Sequence, residues 1–247
     1  MCHTLQSTTF DPGGFSQYVR LPKINTRLGV FPIPENVTYE EASFAEPLAC
    51  VLRGQNRVNL SSGDVVVVIG SGISGILNIA LAKARGAECI IAADINKNRL
   101  PWAQKFGADM VTEDANALAS MAMKQTGRKA DIVILTTGHP EAVQAGFEAA
   151  DEGATVLLFA PSDPDTTIQI DINKLFFKHD MTVTTTYANS PNDLKEALKL
   201  ISEKKVSVAD MITHRIGLDE IQYGFDLMQD GTKSLKVIIE PNRNRNS

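Results

Sequence analysis

From Asp64 onward the chain alternates between short, wholly apolar runs and longer segments whose apolar residues recur at helical spacing. Val65–Ile69 is an unbroken run of β-branched residues. A strand with no polar face must be covered on both sides, which is the signature of a parallel sheet between helices. The pattern returns at Cys89–Ala93, at a short Asp109–Val111, and at Ile132–Thr136, Thr155–Phe159 and Met181–Thr185. Helices are predicted between them: from Gly75 to about Arg85, around Arg99–Phe106, and over Asn116–Gln125 and Pro140–Ala150. Strands alternating with helices predict an α/β fold. Right-handed crossovers make it a doubly wound, six-stranded parallel sheet.

The flanks read differently. Residues 1–35 form loops and short strands, with a turn at Asp11–Gly14 (DPGG) and a strand at Phe15–Pro22. Prolines at 22, 32 and 34 break the remainder of that stretch. The pattern over Tyr39–Asn59 is helical, with Pro47 interrupting it. After Pro191 come two helices, Asp193–Lys204 and Asp219–Gln229, and a last strand at Leu235–Ile239. Residues 1–35 hold no core of their own and need a partner surface. The expected division is therefore 1–45, 46–190 and 191–247.

Composition narrows the function classes. The chain has 247 residues, 43% hydrophobic and 21% charged, with a net charge of -5. That is ordinary globular composition, and the acidic balance argues against a nucleic-acid or anionic-membrane binder. No apolar run approaches the ~18 residues of a membrane helix. The start, MCHTLQSTTFDPGG, has neither the basic opening nor the apolar stretch of a signal peptide, so a cytoplasmic protein is expected. Cys2, Cys50 and Cys89 form no CxxC pair and no disulfide framework.

The central motif is VVVVIGSGISG, with glycines at Gly70, Gly72 and Gly75. It follows a strand and opens a helix, the context in which GxGxxG marks a dinucleotide site. Gly70 permits the turn, Gly72 lets a diphosphate approach the backbone, and Gly75 allows close packing of helix on sheet. The N–H groups at Ile73, Ser74 and Gly75 then face the phosphates. Asp94 lies 19 residues after Gly75, at the end of the second strand. An acid there accepts hydrogen bonds from the ribose hydroxyls and repels a 2′-phosphate, favouring NAD over NADP. Arg99 could serve such a phosphate, but packing along the adenosine is the better reading.

The turn at Thr136, Thr137 and Gly138, and that at Phe159 and Ala160, follow strands at the carboxyl edge of the sheet. They either hold the nicotinamide end through backbone groups or are plain strand-to-helix turns. His139 alone among the four histidines adjoins this edge. There is no HExxH pair and no Gly-x-Ser-x-Gly elbow. Glu46, in the apolar setting FAEPLACV, reads from the residues alone as an exposed acid at a helix start.

GGFSQYVRLP at 13–22, EPLACV at 46–51, VVVVIGSGISG, DINKNRL at 94–100 and the closing LKVIIEP at 235–241 occur in an order that resembles the zinc-type medium-chain dehydrogenases. The polyol, threonine and alcohol dehydrogenase branches are the most similar. The resemblance implies a six-stranded Rossmann domain, NAD as cofactor, hydride transfer to or from an alcohol or polyol, and homodimers or homotetramers joined through the nucleotide domains. It further implies that both chain ends contribute to a GroES-like β lobe, of which a remnant is expected here. In that family the lobe carries a catalytic zinc and a four-cysteine structural zinc. Cys2 resembles the last cysteine of the structural loop, and Glu46 matches the acid at the catalytic zinc of the polyol branch. One ligand cannot hold a catalytic zinc, which normally needs three protein ligands and water. The expectation is a chain that binds NAD(H) with little turnover, whether as a fragment, an expressed domain or a pseudoenzyme. An exposed apolar patch is expected near the ends. The rival readings are a non-catalytic dinucleotide module, a methyltransferase, and a zinc-free quinone reductase.

Overall fold

The computed structural model describes residues 11–242. Six parallel strands form one sheet: β1 (Val65–Ile69), β2 (Cys89–Ala93), β3 (Met110–Thr112), β4 (Ala130–Leu135), β5 (Ala150–Leu158) and β6 (Thr182–Thr185). Their order is β3-β2-β1-β4-β5-β6. The sheet runs outward from β1 in both directions, so β1 and β4 sit where the winding reverses.

The absence of a polar residue in β1 has a direct cause. Val66 and Val68 enter one core with Leu48, Leu77 and Ile134, while Val65, Val67 and Ile69 enter the opposite core with Ile91, Val133 and Phe147. Every residue of β1 and β2 is buried. Burying one such side chain contributes about 1.5–3 kcal/mol.

Helices α1 (Lys23–Gly29), α2 (Tyr39–Ala42) and α3 (Ala45–Arg57) precede the sheet. Between its strands lie α4 (Ile73–Ala84), α5 (Leu100–Phe106), α6 (Leu118–Thr126) and α7 (Pro140–Ala149). After it come α8 (Pro191–Ser202), β7 (Ile212–Gly217), α9 (Ile221–Asp230) and β8 (Lys236–Glu240). Leu198, Ile201 and Val206 from the α8 region share the core of α3 and α4. β7 and β8 pair in parallel as a separate two-stranded sheet. A bidentate pair from Arg215 to Glu40, with oxygens at 2.5 and 2.8 Å, ties it to the body.

Several expectations need correction. The strand expected at Phe15–Pro22 is reduced to one isolated bridge, Asp11 with Arg20, because no neighbouring strand offers it a ladder among the described residues. Pro47 does not interrupt the helix. It sits in the first turn of α3, where its missing N–H has no partner to lose. α1, β7 and a single π-helical turn at Asn173–Lys178 were not anticipated. Apolar side chains do stand open near the ends: Phe15 is 59% exposed and Leu28 67%.

A reciprocal cap starts α2. Thr38 Oγ1 accepts from Glu41 N–H at 3.1 Å, and Glu41 Oε2 accepts from Thr38 N–H at 2.9 Å. The Lys204 ammonium, 2.8 Å from Glu41, and then the Thr38 backbone hold the Glu41 carboxyl below the usual glutamate value of 4.5. A lowered carboxylate stabilises the fold fully above that value and ceases to do so as pH falls through its own folded value. Thr38→Ala should cost about 1 kcal/mol at neutral pH. Thermal unfolding at pH 7 measures that deficit, and the parent itself should lose stability as pH falls below the ordinary glutamate value.

Candidate functional site

A cavity of about 540 Å³ opens at the carboxyl ends of β1, β2 and β4, within the usual size range of cofactor clefts. Gly70 leaves β1 with φ +98, and a Cβ there would meet Thr136 Oγ1 at 2.5 Å. Thr136 Oγ1 lies 3.0 and 2.9 Å from the carbonyl oxygens of Ile69 and Gly70, which fastens the turn to the end of β4. Gly75 packs closest of all: a Cβ would lie 1.9 Å from the Gly70 carbonyl oxygen. A Cβ on Gly72 would meet nothing within 4 Å. The turn is thus tight behind and open in front. No side chain caps α4, so the first N–H groups of that helix remain available at the mouth.

Asp94 follows β2 and is only 7% exposed. Its Oδ2 accepts from Ser71 N–H at 2.7 Å and its Oδ1 from Asn96 N–H at 2.8 Å. Each carboxylate oxygen keeps a further acceptor site, and the residue borders the cavity. Arg99 Nη1 lies 3.6 Å from Asp94 Oδ2. Ser71 is fully buried inside the glycine turn, and its hydroxyl has no hydrogen-bond partner among the described residues.

Of the residues anticipated from sequence, Gly70, Gly72, Asp94, Arg99, Thr136 and Thr137 border this cavity. Ile73, Ser74 and Gly75 open α4 and are not among the residues bordering the cavity; the Ser74 carbonyl accepts from Asn78 Nδ2 at 2.9 Å. Gly138 packs on the next loop: a Cβ would sit 2.3 Å from the Pro161 carbonyl oxygen, and Ser162 Oγ donates to the Gly138 carbonyl at 2.8 Å. The amides of Phe159 and Ala160 both donate to the Leu135 carbonyl, at 3.0 and 3.1 Å. The Phe159 ring reaches α3 at Gly54.

Other residues were missed. Ile95 stands 92% exposed at the rim, and Glu113, Asp114 and Glu141 add acid to it. His139, the one histidine expected at this edge, also borders the cavity, with its Nδ1 2.6 Å from Glu141 Oε2. A backbone hydrogen bond, and then His139, hold the Glu141 carboxyl below its ordinary value. All of these follow the carboxyl ends of β2, β3 or β4, and that placement was the usable signal.

Glu46 lies apart, exposed in the first turn of α3. Its Oε1 accepts from Cys50 Sγ at 3.4 Å and from Asn189 Nδ2 at 3.0 Å. Burial pushes the Cys50 thiol up. Among the described residues, no group of three or more His, Cys, Asp or Glu side chains could hold a metal ion. Cys2 lies outside the described residues. No helix is long and apolar enough to cross a membrane, among the described residues.

The profile of a family described as zinc-binding dehydrogenase matches residues 74–203. L-threonine 3-dehydrogenase from Bacillus subtilis is 33% identical over 93% of this chain and 65% of its own length. Sorbitol dehydrogenase from Ovis aries is 29% identical over 85% of this chain and 59% of its own. Among solved structures, 2R,3R-butanediol dehydrogenase from Bacillus subtilis superposes with a TM-score of 0.78 at 25% identity, covering 86% of this chain and 60% of that one. The chain thus spans about 59–65% of the length of these curated relatives.

Proposed function

Because this chain belongs to the zinc-binding dehydrogenase family, we propose that its cavity binds NAD(H) as part of an alcohol- or polyol-oxidising enzyme. The observation that carries this reading is Asp94, buried at the end of β2 yet bordering the cavity beside an unobstructed Gly72. A dinucleotide fits these residues: the turn is open where a diphosphate must approach, and the buried Ser71 hydroxyl lacks a partner among the described residues.

The geometry supports a role for each group. The first N–H groups of α4 donate to the diphosphate at the positive end of the helix. Asp94 accepts from the ribose hydroxyls, while Asp94, Glu113, Asp114 and Glu141 together repel a further phosphate. Thr136 and Thr137 border the cavity at the end of β4 and would hold the nicotinamide end of the cofactor. The chemistry supplied by the bound cofactor is acceptance of a hydride from an alcohol carbon.

A zinc ion does not fit the described residues, since Glu46 bonds Cys50 and Asn189 and no set of three ligand side chains surrounds it. This favours a second reading, in which the chain binds the dinucleotide without turnover.

Residues 46–190 would carry the cofactor, with 1–45 and 191–247 forming the substrate side. β6 is one of the two edge strands of the sheet, and pairing of its outer edge would join nucleotide domains into the dimer or tetramer we also propose, in the cytoplasm. Titration of the purified chain by NADH fluorescence should give saturable binding, weaker with NADPH and absent with S-adenosylmethionine. Failure to bind either nicotinamide nucleotide would overturn the proposal. Sustained zinc-dependent alcohol oxidation by the same preparation would overturn the reading without turnover. Size-exclusion chromatography with light scattering checks the assembly.

A further inference from the structure

An arginine beside the ribose-binding acid is ordinarily the residue that welcomes a 2′-phosphate. Here Arg99 is tethered from behind. Its Nε donates to the Gly231 carbonyl at 3.2 Å, and Asn96 Nδ2 donates to the same oxygen, also at 3.2 Å. Gly231 is the left-handed residue that ends α9, with φ +59. Its carbonyl lies at the negative end of that helix, where a guanidinium is favoured. The fit is close: a Cβ on Gly231 would lie 2.3 Å from Arg99 Nη2. The other side of the guanidinium faces Asp94 Oδ2 at 3.6 Å.

We propose that the end of α9 is a specificity-determining element of the cofactor site, Gly231 and Asn96 acting as positioning residues. They hold Arg99 against Asp94, its Nε donating to the Gly231 carbonyl and its Nη1 3.6 Å from the carboxylate, so that the guanidinium is turned away from a 2′-phosphate. The inference rests on the dinucleotide reading of the cavity. It explains how an arginine can line an NAD-selective pocket, and it makes the selectivity depend on a segment over 130 positions away in the chain.

The test is the ratio of NADPH to NADH dissociation constants in a double-mutant cycle. Gly231→Ala pushes the guanidinium off its seat, and the ratio should shift towards NADPH by about fivefold to tenfold. Gly231→Asn, which tolerates the left-handed conformation better, should act in the same direction and guards against misfolding of the alanine variant. In an Arg99→Ala background neither change should move the ratio. A purely structural role for Gly231 would weaken both nucleotides alike and leave the ratio where it was, which overturns the proposal. So does an equal shift in the absence of Arg99. A parent chain that binds neither nucleotide instead overturns the dinucleotide reading, and the proposal with it; a parent that binds with an unmoved ratio overturns the proposal alone.

Discussion

Gly75→Val should abolish NADH binding and lower the thermal midpoint. Even the first carbon of the new side chain would lie 1.9 Å from the Gly70 carbonyl oxygen, a backbone atom that cannot rotate away. α4 must lift off the turn, and the mouth that presents its N–H groups lifts with it. Overpacking of this kind costs about 1–3 kcal/mol or more. In a chain of this size that corresponds to roughly 3–10 °C. Gly72→Ala is the informative companion. Its methyl meets nothing within 4 Å and its backbone is in the ordinary extended region, so the fold should be untouched. It does intrude where a diphosphate would lie, and NADH affinity should fall while the melting curve stays in place. Parent-like NADH binding in Gly75→Val would contradict the close-packed turn.

The second large effect is expected at Asp94. Hydrogen bonds to a charged group contribute about 1.5–3 kcal/mol, so Asp94→Ser should weaken NADH by roughly 10–100-fold. NADPH should lose far less, because the substitution also removes the charge that repels its phosphate. Asp94 additionally receives the Ser71 and Asn96 amides, and those donors would be left short of an acceptor. Some loss of stability is therefore expected, and Asp94→Asn, which retains one oxygen, separates that loss from recognition. Isothermal titration with both nucleotides, beside thermal melts, measures the two effects. An unchanged NADPH-to-NADH ratio in both variants would remove Asp94 from the ribose role.

The sheet could be read from sequence because burial on both faces leaves no polar position to blur the boundaries. β1 and β2 run Val65–Ile69 and Cys89–Ala93, and those bounds coincide with two unmixed apolar runs. Where a segment is only half covered the signal fades. β7, with the sequence ITHRIG, carries threonine, histidine and arginine on a partly open sheet and gives no apolar run. α1 escaped notice because prolines at 22 and 32 bracket it, yet Pro22 stands only at its N-cap, where no helical hydrogen bond is lost. The glycine turn was legible as a motif whose spacing is dictated by close approach. The rim was not: Ile95, Asp114 and Glu141 lie at scattered positions near strand ends, and only the topology brings them together. Gly231 was invisible for the same reason, since nothing local distinguishes a helix-ending glycine from one that seats a distant guanidinium.

The position of β1 and β4 at the centre of the sheet has a consequence for how the chain reaches this state. Val66 pairs with Ile132 in parallel, so the middle of the sheet cannot close until two intervening βα units have been made and swung aside. Contacts so distant along the chain slow the search, because the loop must be closed before the pairing rewards it. During that interval a valine-rich strand, paired with β2 on one side only, keeps its other edge open, which is the state in which nascent α/β chains are most prone to associate with one another and most in need of chaperone shelter.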